Sequence, residues 1–218
     1  MMKQLLPIDV YFDFICPWCL IGKRQLQRAT AMLNQYHPEV QVHVRWHGVQ
    51  LLTYLPADGV PFDEFYLDRL GSQTAVEQRQ EQVRQAAKAV GVNLDFKRIH
   101  TMPNTAKAHH LFAKLNAIST SEQTEKLLER LFSGYFHYAE NIGQQETLHR
   151  IALECGFDAE QLKAIWQTPN LADISRYRAG HGVPYFIIDG RFAVAGASAS
   201  EHLYRTMCDA LGINEVAS

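Results

Sequence analysis

The sequence predicts an α/β protein in which an all-helical block interrupts a domain with strands at both of its ends. Two observations support this fold class: strand patterns lie near both ends of the chain, as alternating apolar residues at the start and as two apolar runs around Asp189-Gly190 at the end, and between about Thr53 and Leu171 apolar residues recur at three- and four-residue spacing. With 218 residues, 47% hydrophobic and 20% charged, the chain is large enough for a sizeable core. Its 21 basic and 23 acidic side chains nearly balance, which argues against nucleic acid or an anionic membrane as the main partner.

The first elements form a strand–helix–strand unit. Alternating apolar residues predict a strand over Ile8 to Phe14 that leads directly into Cys16. A helical stripe follows from Leu20 to about Tyr36, and a second alternating strand covers Val40 to Trp46. Because a helix joins two strands at this spacing, we expect the strands to be parallel.

Helical stripes then fill the middle of the chain, where we expect five to seven helices, including a solvated one over the glutamine-rich stretch Gln73 to Gln85. Strands return near the end. Tyr185 to Ile188 and Arg191 to Ala195 flank Asp189-Gly190, which predicts an antiparallel hairpin with a two-residue turn.

A final helix is predicted after the hairpin. Ser198 and Glu201 form a capping-box pattern, and Gly212 follows the last apolar position. This order of elements is typical of a thioredoxin fold split by a helical insertion. We therefore predict a thioredoxin domain formed by residues 1–52 and 172–218 and a helical insertion domain formed by residues 53–171.

The four cysteines are too few for a disulfide-stabilised secreted scaffold, and only Cys16 and Cys19 lie close together in the sequence. Cys155 and Cys208 are isolated within apolar stripes, which favours a role as small core residues. The first residues lack the pattern of a secretory signal peptide, and no apolar run is long enough to span a membrane. We therefore expect a cytoplasmic protein. Thiols are normally kept reduced in the cytosol.

Cys16-Pro17-Trp18-Cys19 places two thiols at the start of the first helix, with Pro17 in a first-turn position that suits proline. The positive end of the helix dipole favours the thiolate of Cys16, which predicts that this residue is the nucleophile. Cys19 lies one turn further along and can resolve a mixed disulfide between Cys16 and a substrate. We expect Trp18, between the thiols, to contact that substrate.

A structural disulfide or a metal site fits this pair of cysteines less well. A structural disulfide would close too short a loop to stabilise the chain much and would not persist in the cytosol. Half of a zinc site would need a second close pair of ligands, whereas the remaining cysteines are isolated and the histidines are scattered. Thiol chemistry is therefore the favoured interpretation, with no metal.

Three further residues are candidates on residue type alone. Pro184 follows Val183 directly before a strand, where a trans or a cis peptide bond would fit the sequence. Asp13 is either a buried group that tunes the thiols or a solvated turn residue. Lys23, one turn beyond Cys19, either favours the thiolate electrostatically or is solvated; lysine on an early helix face is most often solvated, and we assign it no role.

Several segments resemble the DsbA-like thioredoxin superfamily in its FrnE-type branch. They are the segment Phe12 to Cys19 with its CPWC motif, Asn104-Thr105-Ala106 leading to His109, Phe136 to Ile142, Gly182 to Phe186, and Asp189 to Ala197. Together they cover nearly the whole chain. The resemblance implies a thioredoxin fold with a helical insertion, an attacking Cys16, a resolving Cys19 and a cis-proline at Pro184.

The resemblance also implies where a substrate binds. Beside the thiols we assign substrate contacts to Pro17, Trp18, Val183 and Pro184. From the helical block, we assign Asn104 and His109. No bound cofactor is expected beyond the redox-active pair itself, and the partners are a disulfide-containing polypeptide or a small thiol or disulfide, with glutathione as a potential co-substrate. The sequence leaves a homodimer open.

A rival activity exists within the same superfamily. Its glutathione-dependent members, 2-hydroxychromene-2-carboxylate isomerases and kappa-class glutathione transferases, typically carry serine where this chain has Cys16 and do not need Cys19. The intact pair favours a thiol–disulfide oxidoreductase that acts as a reductase or isomerase of disulfides. A polypeptide-binding chaperone that uses the helical block is a third, non-enzymatic alternative.

Overall fold

The computed structural model describes residues 4–168 and 182–214. Contacts divide them into two compact units, one containing residues 4–49 and 182–214 and the other containing residues 50–168. The first domain boundary that we predicted from the sequence, after residue 52, lies three residues further along the chain than the observed one, after Val49. The second predicted boundary, after residue 171, lies outside the described residues.

Within the described residues, the strands in the middle of the chain are shorter than the strands near its two ends. They are β1 Gln4–Phe12, β2 Val40–Gly48, β3 Val60–Pro61, β4 Thr101–Met102, β5 Tyr185–Ile188 and β6 Phe192–Ala195. The α-helices are α1 Pro17–Tyr36, α2 Phe62–Leu70, α3 Gln73–Ala89, α4 Ala106–Asn116, α5 Ser121–Phe136, α6 Gln145–Glu154, α7 Ala159–Gln167 and α8 Ser200–Leu211.

A four-stranded sheet with the order β2-β1-β5-β6 forms the centre of the first unit. β1 and β2 are parallel, with Ile8 opposite Val44, whereas β5 runs antiparallel to both β1 and β6. Because α1 connects the two parallel strands, the predicted strand–helix–strand unit is confirmed.

The core of this unit lies between one face of the sheet and the helices α1 and α8, which pack against each other. Alternate residues of β1 point into it, as expected for a strand with one buried face. The buried apolar residues at its centre are Leu6, Ile8, Val10, Leu26, Ala29, Leu33, Val40, Phe186, Ile188, Val194, Leu203, Met207 and Cys208. Each large side chain of this set contributes about 1.5–3 kcal/mol by leaving water.

The predicted hairpin is present, but its loop is one residue longer than expected. Ile188 pairs with Phe192, so β6 does not begin at Arg191 and three residues connect the strands. Asp189 and Gly190 have φ angles of 53° and 67°, the left-handed region that Asp-Gly sequences adopt readily. The Arg191 N–H donates to the Ile188 carbonyl oxygen at 3.1 Å and closes the turn.

The last helix begins differently from the prediction. The Ser198 hydroxyl donates to the Ala195 carbonyl oxygen at 3.3 Å instead of capping α8. The Ser200 N–H donates instead to the Gln25 side-chain oxygen of α1 at 3.1 Å, so a neighbouring helix satisfies this terminus. The predicted capping box is therefore wrong. Gly212 ends α8 in the left-handed conformation, as predicted.

The second unit is mainly helical and contains α2 to α7, six α-helices within its described residues, which agrees with the predicted five to seven. Local sequence determines where α5 and α7 begin, because their N-cap residues, Thr120 and Asp158, each form a capping box with the glutamine three residues further on. The glutamine-rich stretch belongs to α3, whose exposed side chains confirm a solvated helix. Within the described residues, no helix is long and apolar enough to cross a membrane.

A small two-stranded sheet in this unit was not predicted. β3 pairs antiparallel with β4, and Val60 lies opposite Met102. Strands of two residues are too short to show an alternation of apolar and polar residues. The expectation that the middle block is purely helical is therefore wrong at this point.

An ion-pair network joins α5, α6 and the turn between them. Arg130 Nη1 and Arg150 Nη2 each lie 2.6 Å from a carboxylate oxygen of Glu140. Both arginines also contact Glu154, at 2.8 Å. The hydrogen bond from Arg130 is the main reason that the pKa of Glu140 is lowered, and Arg150 adds to it.

Candidate active site

Cys16 occupies the N-cap position of α1 and follows a turn. β1 ends at Phe12, and the Cys16 N–H donates to the Asp13 carbonyl oxygen at 3.1 Å. The prediction that the strand continues to Phe14 is therefore wrong. Phe14 is nevertheless fully buried and packs edge-on against Phe12, with ring centroids 5.0 Å apart, which explains why the apolar alternation outlasts the strand.

The start of α1 matches the sequence-based expectation. Pro17 lies in the first turn, where its missing N–H is not needed. The Cys16 carbonyl oxygen accepts hydrogen bonds from the N–H groups of Cys19 and Leu20, at 3.0 and 3.4 Å. Cys16 is therefore the residue at the positive end of the helix dipole.

The two thiols differ in environment. Cys16 is 8% exposed and Cys19 is 2% exposed, and both are free thiols in the structure. Burial raises the pKa of the Cys19 thiol well above its ordinary value, and a side-chain hydrogen bond with Cys16 raises it further. A backbone hydrogen bond from Asp13 acts in the opposite direction but does not outweigh burial. Cys19 is therefore a thiol held in its protonated form.

Val183 and Pro184 meet Cys16 from the other end of the sequence. The Cys16 Sγ–H donates to the Val183 carbonyl oxygen, with the two atoms 3.7 Å apart. The Val183–Pro184 peptide bond is cis. Pro184 is buried, and its carbonyl oxygen accepts from the Gly196 N–H at 2.8 Å, which ties it to the chain after β6. The structure thus brings together four of the residues assigned from sequence.

Pro17 and Trp18, the two residues between the cysteines, are half-buried. Each retains part of its surface in contact with solvent, directly beside the two thiols in the chain. The substrate contacts assigned to Pro17 and Trp18 stay predictions.

Two charged side chains of this region are buried, which the sequence patterns did not establish. Asp13 is 0% exposed and Lys23 is 1% exposed. The expectation that Lys23 is solvated is therefore wrong. One signal was available, because Lys23 lies four residues after the buried Cys19 and so shares its side of the helix.

Asn104 and His109 lie in the second unit, at the beginning of α4. The Asn104 side chain donates to the Leu55 carbonyl oxygen at 2.7 Å and accepts from Gln50 at 2.8 Å and from the Ala106 N–H at 3.0 Å. It therefore connects the start of α4 to the segment before α2. His109 is 2% exposed. The substrate contacts assigned to both residues stay predictions.

Residues 4–168 and 182–214 contain no cluster of three or more His, Cys, Asp or Glu side chains suited to a metal ion.

Comparison with known proteins decides the family. The sequence pattern of the DSBA-like thioredoxin domain matches residues 7–207. The chain belongs to the DSBA-like thioredoxin domain family. The predicted fold class, a thioredoxin fold with additional helices, is thereby confirmed, and so is the resemblance to the DsbA-like superfamily.

Three solved structures show the same fold. A probable DsbA oxidoreductase from Streptomyces coelicolor is 23% identical, with a TM-score of 0.81 over 98% of this chain and 93% of that one. A 2-hydroxychromene-2-carboxylate isomerase is 16% identical, with a TM-score of 0.61 over 94% of both chains. The cytosolic disulfide reductase DsbM from Pseudomonas aeruginosa, in a structure with GSH, is 16% identical, with a TM-score of 0.60 over 94% of this chain and 96% of that one.

Proposed function

We propose that this member of the family is a thiol–disulfide oxidoreductase in which Cys16 and Cys19 form the redox pair. The observation that carries the proposal is the position of Cys16 at the N-cap of α1, one turn before the buried thiol of Cys19. Membership of the DSBA-like thioredoxin domain family supports the same general activity.

The reaction proceeds by two exchange steps. The Cys16 thiolate attacks one sulfur of a substrate disulfide, an S–S bond to Cys16 forms, and the other substrate sulfur leaves as a thiolate that takes a proton from solvent. Cys19 then attacks the sulfur of Cys16, and its proton passes through solvent to the departing substrate sulfur. The Cys16–Cys19 disulfide forms, the mixed disulfide bond breaks, and the second substrate thiol is released. Two electrons pass from the cysteine pair to the substrate.

The contrast between the two thiols suits this order. Cys16, at the helix terminus, is the sulfur with which a substrate reacts first, since thiolates are the attacking species. Cys19 stays protonated because burial raises the pKa of its thiol, so it does not compete for substrate. Pro17, Trp18, Val183 and Pro184 contact the substrate around Cys16 in this proposal.

A cytoplasmic setting forms part of the proposal. In a reducing compartment, the useful directions are reduction and isomerisation of disulfides, with a small thiol such as glutathione returning the pair to its reduced form. The structure of the cytosolic disulfide reductase DsbM with GSH is compatible with this choice of donor. The substrate is a disulfide-bonded polypeptide or a small disulfide.

Replacing the resolving thiol tests the proposal. With a fluorescent disulfide-bonded peptide as the probe, C19S should retain attack by Cys16 but stop at the mixed disulfide, which mass spectrometry detects as a covalent adduct. C208S, which changes a cysteine buried in the core, is the matched control and should turn over normally if it folds. Reduction of the probe by C19S at the wild-type rate and without an adduct would show that Cys19 takes no part, and would overturn the proposal.

A further inference from the structure

Gly22 occupies an interior position of α1, where glycine is less favourable than any residue except proline. The residue is buried and lies three positions after Cys19. A Cβ atom at this position would lie 2.9 Å from Cγ and 3.3 Å from Cβ of Pro184, and 3.2 Å from Cζ of Phe186. The absence of a side chain at Gly22 therefore lets α1 pack closely against Pro184 and Phe186.

We propose that Gly22 is a positioning residue of the thiol site, because its bare backbone lets Pro184 rest on α1 and so holds the Val183 carbonyl oxygen beside Cys16. This inference rests on the proposed function and assigns Gly22 a part in it. Gly22 has no reactive group and acts only through Pro184.

The path from Gly22 to Cys16 is short. Pro184 has little freedom to move aside, since its own carbonyl oxygen is bonded to the Gly196 N–H at 2.8 Å and β5 begins at the next residue. A methyl group on residue 22 therefore forces α1 and Pro184 apart. Because Cys16 lies at the start of α1 and Val183 directly precedes Pro184, the Cys16 sulfur and the Val183 carbonyl oxygen, 3.7 Å apart in the structure, separate with them.

The effect on the sulfur has a definite sign. The Val183 carbonyl oxygen accepts the Cys16 Sγ–H and lies against the sulfur. Moving this oxygen away breaks the hydrogen bond and uncovers the sulfur, so Cys16 reacts faster with a small electrophile. Alanine is a better helix former than glycine, so G22A on its own favours the helix. If residue 22 affected only helix stability, G22A would therefore leave the reaction rate of Cys16 unchanged.

Alkylation of the reduced protein tests the proposal. Iodoacetamide is added at limiting concentration, and mass spectrometry follows modification of Cys16 in wild type, G22A and Q27A, the last being an exposed position of α1. G22A should react about fivefold faster than wild type, and Q27A should match wild type. Equal rates for G22A and wild type would overturn the proposal.

A second variant keeps the test decisive if G22A fails to fold. P184A removes the Cγ atom that the new methyl group would strike. The double variant G22A/P184A should then alkylate at a rate close to that of P184A alone, because P184A removes the shortest of the contacts that the methyl group would make. A double variant whose rate is the product of the two single effects would contradict the proposed path.

This measurement does not need a redox substrate. If wild type alkylates as expected but reduces no disulfide, the proposed function fails while the role of Gly22 stands. If disulfide exchange occurs and G22A reacts like wild type, the proposed function stands and the role of Gly22 fails.

Discussion

The sulfur of Cys16 and the carbonyl oxygen of Val183 lie 3.7 Å apart, although 167 positions separate the two residues in the sequence. The antiparallel pairing of β1 with β5 produces this contact, since β1 leads to Cys16 and β5 begins directly after Pro184. Residues from both ends of the chain therefore build the candidate site on one sheet. The contact depends on the fold of the first unit and not on local sequence.

The two thiols should react at different rates. At about neutral pH, iodoacetamide should modify Cys16 at least about tenfold faster than Cys19, because burial raises the pKa of the Cys19 thiol and keeps it protonated. Mass spectrometry of the peptide that contains both residues measures each rate. In urea-unfolded protein, which serves as the control, the two cysteines should react alike. Faster modification of Cys19 in the folded protein would contradict the assignment of the nucleophile.

The ion-pair network in the second unit should give stability that depends on pH. E140Q should lower the free energy of unfolding near pH 7 by about 1 kcal/mol, since it removes the charge shared by Arg130 and Arg150 in a partly exposed setting. Urea denaturation of wild type and variant measures the difference.

The sign of the pH effect follows from the lowered pKa of Glu140. Because this pKa is lower in the folded than in the unfolded chain, the stabilisation is complete above the ordinary glutamate value of about 4.3 and is lost as pH falls through the folded value. The difference between E140Q and wild type should therefore vanish in strong acid. E81Q, at an exposed ion pair with Arg84, should have no measurable effect at either pH. A difference for E140Q that persists in strong acid would contradict the electrostatic explanation.

Asn104 should matter for stability whatever its part in binding. N104A removes three hydrogen bonds, to Leu55, Gln50 and Ala106, and should lower the free energy of unfolding by about 1–3 kcal/mol. N93A, at an exposed asparagine in the same unit, is the matched control and should unfold like wild type. If the two variants were equally stable, the hydrogen bonds of Asn104 would contribute nothing to the fold.

Sequence patterns predicted those elements that leave a periodic signal. The strands β1 and β2 and the helix α1 were found because four or more residues in each repeat a spacing of apolar side chains, and the hairpin was found because Asp189-Gly190 separates two apolar runs. The pair β3 and β4 was missed because a two-residue strand has no period. Ser198 was misassigned as a cap because the hydrogen bond that Gln25 provides to α8 comes from a distant helix.

The residues of the candidate site also fall into those that local sequence predicts and those that only the packing of the fold places. Cys16, Pro17 and Cys19 could be placed at a helix start from local sequence alone, whereas Pro184 reaches them only through the packing of the sheet on α1. The burial of Lys23 depends on which side of α1 faces the core, and lysine usually avoids that side. Residue type therefore argued against the observed position, and only the three-dimensional structure corrects it.

A redox titration of the Cys16–Cys19 pair tests the central claim most directly. The protein is equilibrated in glutathione buffers of graded potential, its free thiols are alkylated, and mass spectrometry counts the modified cysteines in the peptide that carries both. We predict that both thiols disappear together in one reversible two-electron step. Loss of one thiol without the other, or stable attachment of glutathione to Cys16 with Cys19 still reduced, would contradict this prediction.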